Sequence, residues 1–359
     1  MSKNGFVRWR VLPLLFRAVS GRPAQNGKLP VRSVACLRPG KLGDMIVATP
    51  LFSALRQQGG VTRLAVLCSA ENEPVIRHNP HITIVRSVNF HRFGGVFKTV
   101  RWLRRERFDA LIDLTPGFSR TNFIISQFSG RGVLRVGIEK GRAADRCHLH
   151  IGGRDTHLAD RLLDAGEALT GARFPRPRPF EIYTAPDDRN TAAEFIGRIK
   201  GRGPCIAVNL SAGSPERQWA YGNFAELTRR LAPVFPAGAT IALIAVGAQR
   251  EWAGRLAAAD SSCVAVPEFP FLTITELIGA CSLLISCDTA LIHAAAARNV
   301  PVVGLYTAHA ENFTRWGPYG VANEIIQSSS TKSVSAIGPQ AVCEKTVILM
   351  KKTGLRLTP

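Results

Sequence analysis

The sequence predicts a two-part α/β protein, each part a doubly wound sheet of mostly parallel strands. Two observations carry this expectation. Short apolar runs suited to buried strands alternate with amphipathic helical stretches along most of the chain. The rhythm breaks at the proline-rich Phe174-Pro175-Arg176-Pro177-Arg178-Pro179 and then restarts. A length of 359 residues also favours two domains. The breaks divide the chain into a basic segment over 1–30, a first domain over 31–180 and a second over 181–335. A terminal helix over 336–359 is expected to pack back on the first domain.

In the first half, Val34 to Leu37 reads as a buried strand, followed by a glycine-containing turn from Arg38 to Pro50 and a helical pattern at Leu51, Ala54 and Leu55. Arg63–Cys68, Ile82–Val85, Phe108–Leu114 and Leu134–Ile138 are further strands. Helices are predicted over Val96–Arg107, Phe123–Phe128 and His157–Thr170, the last with Leu158, Leu162, Ala165 and Leu169 on one face. In the second half, strands are predicted at Cys205–Leu210, Thr240–Gly247, Leu283–Cys287 and Val302–Tyr306. Helices follow around Phe224–Leu231, Glu251–Ala259, from Ala290, and over Pro339–Lys352. Thr273 and Glu276 have the spacing of a capping box and predict a helix start.

The formal charge of +20 is unevenly placed. Residues 1–180 hold 30 Lys and Arg against 12 Asp and Glu, whereas residues 181–359 hold 16 against 14. Solubility does not require charge on one half, so the asymmetry points to a polyanionic partner for the first half. Aromatic content of 8% and the lack of a recognisable nucleic-acid module argue against nucleic acid. The eight cysteines form no C-x-x-C pair and no metal-ligand spacing, which favours a reducing cytoplasm. No apolar run is long enough for a transmembrane helix. Residues 1–43 carry nine basic and no acidic side chains, and the mixed stretch Phe6–Arg17 could lie on an anionic membrane, with a mobile tail as the alternative.

Ligands of doubly wound sheets bind beyond the carboxyl ends of the strands, so the strand-to-helix turns are the candidate sites. In the first half, Gly43-Asp44 places one carboxylate among Arg38, Lys41 and Arg56. Gly40 and Gly43 are spaced G-x-x-G, which matches neither a dinucleotide fingerprint nor a Walker A loop. In the second half three turns are suited to a phosphorylated ligand. Asp288-Thr289-Ala290 opens a helix whose first N–H groups suit a diphosphate, with His293 in its early turns. Ser211, Gly213, Ser214 and Arg217 supply hydroxyls, N–H groups and a cation. Glu251 could accept from a ribose diol. No D-x-D pair is present to bridge a metal. A carboxylate base facing a diphosphate site suits group transfer to a hydroxyl by direct displacement.

The pattern resembles glycosyltransferase family 9, the lipopolysaccharide heptosyltransferases, over about residues 33–320. The resemblance is carried by Gly43-Asp44 with Thr49-Pro50, Phe108–Leu114, Arg135-Val136-Gly137 and His157. It continues through Arg217-Gln218-Trp219, Phe224-Ala225-Glu226-Leu227, and Asp288-Thr289 with His293, Ala295–Ala297 and Pro301. It implies a GT-B fold, two Rossmann-like domains facing each other across a cleft, and an inverting, metal-independent transfer without a cofactor. An ADP-sugar would donate a heptose-like sugar to an anionic glycolipid of the lipopolysaccharide core, at the cytoplasmic face of the inner membrane. Asp44 would be the base. Ser211, Gly213, Ser214, Arg217, Glu251, Asp288, Thr289, Ala290 and His293 would bind the donor, and Arg38, Lys41, Gly43 and Arg120 the acceptor. Arg217 stands where the family usually has lysine, Ala290 where it has glycine, and Thr307-Ala308-His309 where it favours Gly-Pro-Thr. A family relative using another nucleotide sugar, or a non-catalytic nucleotide- or polyanion-binding protein, are the alternatives.

Overall fold

The computed structural model describes residues 30–355, apart from 154, 200 and 202. The basic segment expected over 1–30, Phe6–Arg17 included, therefore lies outside the described residues except at its last position. Two six-stranded sheets, parallel throughout, form the framework. The first contains β1 (Ser33–Arg38), β2 (Arg63–Cys68), β3 (Ile84–Ser87), β4 (Ala110–Asp113), β5 (Leu134–Ile138) and β6 (Leu149–Ile151), in the order β3-β2-β1-β4-β5-β6. The second contains β7 (Cys205–Asn209), β8 (Thr240–Ile244), β9 (Cys263–Ala265), β10 (Leu283–Cys287), β11 (Val302–Tyr306) and β12 (Asn323–Gln327), in the order β12-β11-β10-β7-β8-β9. Both orders place the first and fourth strands of the unit side by side. The helices leaving those two strands diverge, and a crevice opens at their carboxyl ends.

Strand residues alternate between two apolar layers. Val34 and Cys36 pack on one face of the first sheet, Ala35 and Leu37 on the other. The same division separates Ile206 and Val208 from Cys205 and Ala207 in the second sheet. The strands absent from the sequence prediction, β6, β9 and β12, all lie at or next to a sheet edge and are short or mixed in polarity. None of the eight cysteines forms a disulfide, and seven are buried. Burial raises the Cys36, Cys68, Cys263 and Cys287 thiols, the last to about 12, so they act as small hydrophobes.

Three expectations need correction. The Pro339–Lys352 helix does not return to the first domain. Val342, Cys343, Leu349 and Met350 enter the core of the second sheet, because that helix lies against Tyr221–Leu231 and β12. The helix around Thr273 starts earlier, at Phe271, so Thr273 and Glu276 are interior positions. They hold neighbouring elements instead: the Thr273 hydroxyl donates to Asp188 (2.8 Å), and Glu276 pairs with Arg298 (2.8 Å). The turn and helix after β1 also divide differently. Pro50 begins a helix over Thr49–Gln57, while Asp44 sits in a separate five-residue helix, Leu42–Ile46. Proline is favourable in a first turn, where its missing N–H costs nothing.

The domains meet directly. Leu272, Ala294, Ala296 and Tyr319 of the second half join the apolar cluster built on the first sheet. The Leu42–Ile46 helix packs against the Ala290–Ala297 helix. An aromatic group reinforces this contact: His157 stacks on Tyr319 (4.5 Å between centroids), Tyr319 on Phe180 (5.4 Å), and His293 meets Phe180 edge-on (5.8 Å).

Candidate active site

The turn after β1 is built around a buried arginine. Arg38, at the end of β1, is 1% exposed. Its Nε donates to the Asp44 carbonyl (2.9 Å) and its Nη1 to the Leu114 carbonyl (3.0 Å). Nη2 lies 3.5 Å from Asp44 Oδ1. The other carboxylate oxygen accepts the Lys41 N–H (3.1 Å). Burial lowers the Arg38 pKa, and the charges of Asp44 and Asp113 oppose that shift. The loop after β2 steadies the same turn, since Ser69 donates to the Gly40 carbonyl and Asn72 to the Arg38 carbonyl (both 2.9 Å).

Gly40 and Gly43 are required for different reasons. Gly40 has φ +131°, and a Cβ there would lie 2.5 Å from Asp44 Oδ2. The carboxylate folds back over the glycine, so any side chain would displace it. Gly43 faces the second domain: a Cβ there would lie 3.1 Å from His293 Cδ2 and 3.5 Å from Ala290 Cα. Close backbone approach at this point is thus provided by Gly43, opposite an alanine.

Across the cleft, the turns after β7 and β10 share a neutral frame. Asn209 Nδ2 donates to the Ser211 carbonyl (3.0 Å), Ser286 Oγ (3.0 Å) and Thr289 Oγ1 (3.2 Å). Thr289 caps the Ala290–Ala297 helix by accepting the Leu291 N–H (3.3 Å). The Ser211 hydroxyl accepts the Val246 N–H (2.9 Å), tying this frame to the turn after β8. Gln218 links both ends of the Leu210–Trp219 loop by accepting from Ala212 and donating to Leu210 and Trp219. Asp288 does not cap the helix. It is 8% exposed and pairs with Arg217 (3.0 Å). Burial raises its pKa, while the charges of Arg217 and Lys41 hold it down.

The structure redistributes several predicted roles. Lys41, expected on the acceptor side, reaches the second domain: its Nζ lies 3.9 Å from where a Gly213 Cβ would be, and its charge acts on Asp288. Gly213 is exposed and Ser214 partly so, at the start of the short Pro215–Arg217 turn that presents Arg217. Glu251 is exposed in the first turn of the Gln249–Ala259 helix. His293 is not a ligand-facing group here. It is 4% exposed, wedged between the domains against Phe180 and Gly43, and burial lowers its pKa to about 3. Arg120 is exposed at the start of the Arg120–Phe128 helix and is not among the groups that hold Asp44. Arg56 turns away altogether, donating to the carbonyls of Val61 and Thr62.

Two charged networks escaped the sequence reading. Lys140 Nζ, buried after β5, bonds Asp113 Oδ2 (2.6 Å) and the carbonyls of Thr115 (2.6 Å) and Gly117 (3.0 Å), while Asn122 donates to Asp113 Oδ1 (2.8 Å). This braces the loop after β4, whose Leu114 carbonyl holds Arg38. Glu139, one residue earlier, has φ +51° and points the other way, pairing with Arg315 of the second domain (2.7 Å). Both partners of that pair are buried, and Trp316 beside Arg315 lies 5.9 Å from the Arg38 guanidinium. His157 caps its helix by accepting the Ala159 N–H (3.1 Å), and its Nε2 lies 3.2 Å from the Gly317 carbonyl. Its place in the motif pattern was legible, but its contact with Gly317 joins residues 160 apart in sequence.

Comparison with known proteins agrees with this geometry. The family model for glycosyltransferase family 9 (heptosyltransferase) matches residues 96–342. The lipopolysaccharide core heptosyltransferase OpsX of Haemophilus influenzae is 20% identical over 306 residues, covering 82% of this chain and 84% of that protein. Among solved structures, a glycosyltransferase family 9 protein of Veillonella parvula superposes with a TM-score of 0.77 at 18% identity, covering 91% of this chain and 99% of that one. The E. coli heptosyltransferase WaaC with ADP superposes at 0.69 with 16% identity, covering 88% and 99%. The two facing domains have the GT-B architecture.

Proposed function

The chain belongs to glycosyltransferase family 9, and on that premise we propose that it transfers a heptose-like sugar from an ADP-sugar to a lipopolysaccharide core acceptor. The proposed reaction is a direct displacement with inversion that uses no metal ion. The observation that carries this reading is the meeting of the two turns. Gly43, next to Asp44, packs on Ala290 and His293 at the start of the helix opened by Thr289. This supports reading Asp44 on one domain as a base that works beside a helix start suited to an anion on the other.

In the proposed step, the Asp44 carboxylate takes the proton of an acceptor hydroxyl. The hydroxyl oxygen bonds to the anomeric carbon on the face opposite the nucleotide, the bond from that carbon to the diphosphate oxygen breaks, and ADP leaves with the electron pair. Arg38 and the Lys41 N–H orient the carboxylate. Arg217, Lys41 and the helix N-terminus offer positive charge to the departing diphosphate, the task a metal performs in other transferases. The adenine nucleotide is supported by the ADP-bound E. coli relative, and the acceptor class by the name of the Haemophilus relative. The net positive first half suits a phosphate-rich acceptor. Action at the cytoplasmic face of the inner membrane follows from such an acceptor; among the described residues no helix is long and apolar enough to cross a membrane.

The test is transfer to a truncated core acceptor from ADP-heptose and from UDP- and GDP-sugars, with and without EDTA, the product anomer being read by NMR. ADP-heptose is expected to be used preferentially, with inversion and in EDTA. Preference for another nucleotide, retention, or collapse of activity in EDTA would each overturn the corresponding part.

A further inference from the structure

Three of the five large hydrophobic side chains exposed among the described residues are Phe93 (62%), Phe97 (57%) and Phe118 (58%). Phe93 and Phe97 lie one turn apart on the Phe93–Glu106 helix. Helical geometry puts Lys98, Arg101, Arg104 and Arg105 on the same exposed arc, while Thr99 and Leu103 are buried on the opposite side. The helix's one acid, Glu106, is off this arc and paired with Arg63. Exposed Arg92 adds a cation just before the first turn.

Phe118 belongs to the same end of the domain. The Phe93–Glu106 and Arg120–Phe128 helices pack together, and Arg104 Nε donates to the Phe128 carbonyl (2.9 Å), so their carboxyl ends coincide. Both connect parallel strands, so their amino ends also share one side. That side holds Phe93, Phe97 and Phe118, and it is the side of the strand carboxyl ends, where the Asp44 turn lies.

We propose that this face, Phe93, Phe97 and Phe118 flanked by Arg92, Lys98, Arg101 and Arg105, docks on an anionic lipid bilayer. Aromatic rings enter the headgroup region, while arginine and lysine meet lipid phosphates. Charge complementarity selects the occupant: four exposed cations, Arg92, Lys98, Arg101 and Arg105, share the exposed arc with the rings, and the helix's acid is occupied elsewhere. Docking by this face would hold the acceptor side of the cleft toward the membrane. The inference rests on the reading of a membrane-borne acceptor, but its test needs neither donor nor acceptor.

Full-length protein is mixed with phosphatidylcholine vesicles with or without phosphatidylglycerol, and binding is measured by co-sedimentation over a range of salt. Phe97→Ser with Phe93→Ser, and separately Arg101→Glu with Arg105→Glu, should each weaken binding to anionic vesicles roughly tenfold or more, with melting temperature unchanged. Wild-type binding should fall with salt and with removal of phosphatidylglycerol. Undiminished vesicle binding by both variants would overturn the proposal, as would wild-type protein that ignores phosphatidylglycerol. Duplex DNA bound as tightly through Arg101 and Arg105, with no effect of the phenylalanine changes, would also overturn it.

Discussion

In the first domain the turn after β1 is held by a buried arginine, whereas in the second the turn after β10 is held by neutral hydrogen bonds together with a partly exposed Arg217. Arg38 grips both the backbone and the side chain of Asp44, and Lys140 with Asp113 braces the loop that supports Arg38. Asn209, Ser286 and Thr289 do the equivalent work across the cleft with an amide and two hydroxyls. The scaffolds are alike, since both sheets have the same strand order and both turns lie at the central crevice. What differs is how the cations are used. In the first domain an arginine is part of the frame. In the second, Arg217 meets the Asp288 carboxylate and carbonyl from a partly exposed position, which on the proposed reading lets it, with Lys41, also face a diphosphate.

The comparison breaks most visibly at the base. Asp44→Asn keeps the shape but removes the proton acceptor, so transfer should fall on the order of 10²–10⁴-fold. ADP affinity, measured by calorimetry, should change little; a parallel loss would show that the two turns do not have separate roles. Next in size is the ion pair joining the domains. Arg315→Ala removes the buried arginine that pairs with Glu139 and should lower unfolding free energy by about 3–5 kcal/mol in chemical denaturation, with partial recovery in Arg315→Lys.

Acid should act on the same interface. Burial lowers His157 to about 4 and His293 to about 3, so both are neutral in the folded protein where an unfolded histidine takes a proton. The stability this represents is intact above the unfolded value of about 6.5 and is lost as pH falls below it, by on the order of 2 kcal/mol per histidine at pH 5. The loss levels off once the folded values are passed. Melting temperature followed from pH 7.5 to about pH 4.5 should fall, and His157→Gln should flatten the dependence.

The neutral frame should be less sensitive than the charged interface. Asn209→Ala is expected to cost about 1–3 kcal/mol, the range for losing buried hydrogen bonds, and to weaken ADP binding by distorting the Thr289 cap. The smallest effect sharpens the division of labour. Lys41→Ala should weaken ADP binding about tenfold and leave acceptor KM nearly unchanged, because its ammonium reaches the Gly213 turn. A rise confined to acceptor KM would return Lys41 to the acceptor side.

Much of the architecture was legible in local pattern. Parallel strands buried on both faces are near-continuous apolar runs, and Val34–Leu37, Arg63–Cys68 and Leu283–Cys287 announce themselves in that way. Edge strands such as Leu149–Ile151 are short and half-exposed and carry little signal. The Thr273–Glu276 spacing misled because a capping box needs the chain to enter the helix at its first residue, and the helix has already begun at Phe271. His293 misled for a related reason. Helical spacing put it near the helix start, but the direction of its face depends on what packs there, and Gly43 and Phe180 do.

The sequence by itself determined the two α/β units, the family pattern and the turns that carry Asp44, Arg217 and Asp288, because each rests on residues close together in the chain. Only the tertiary structure decided which groups hold those turns and how they meet. The Glu139–Arg315 pair spans 176 positions, and the Lys41 ammonium beside Gly213 joins the two domains. Neither contact has a local signature, since burial and charge pairing over such separations are properties of the packed cleft rather than of any stretch of chain.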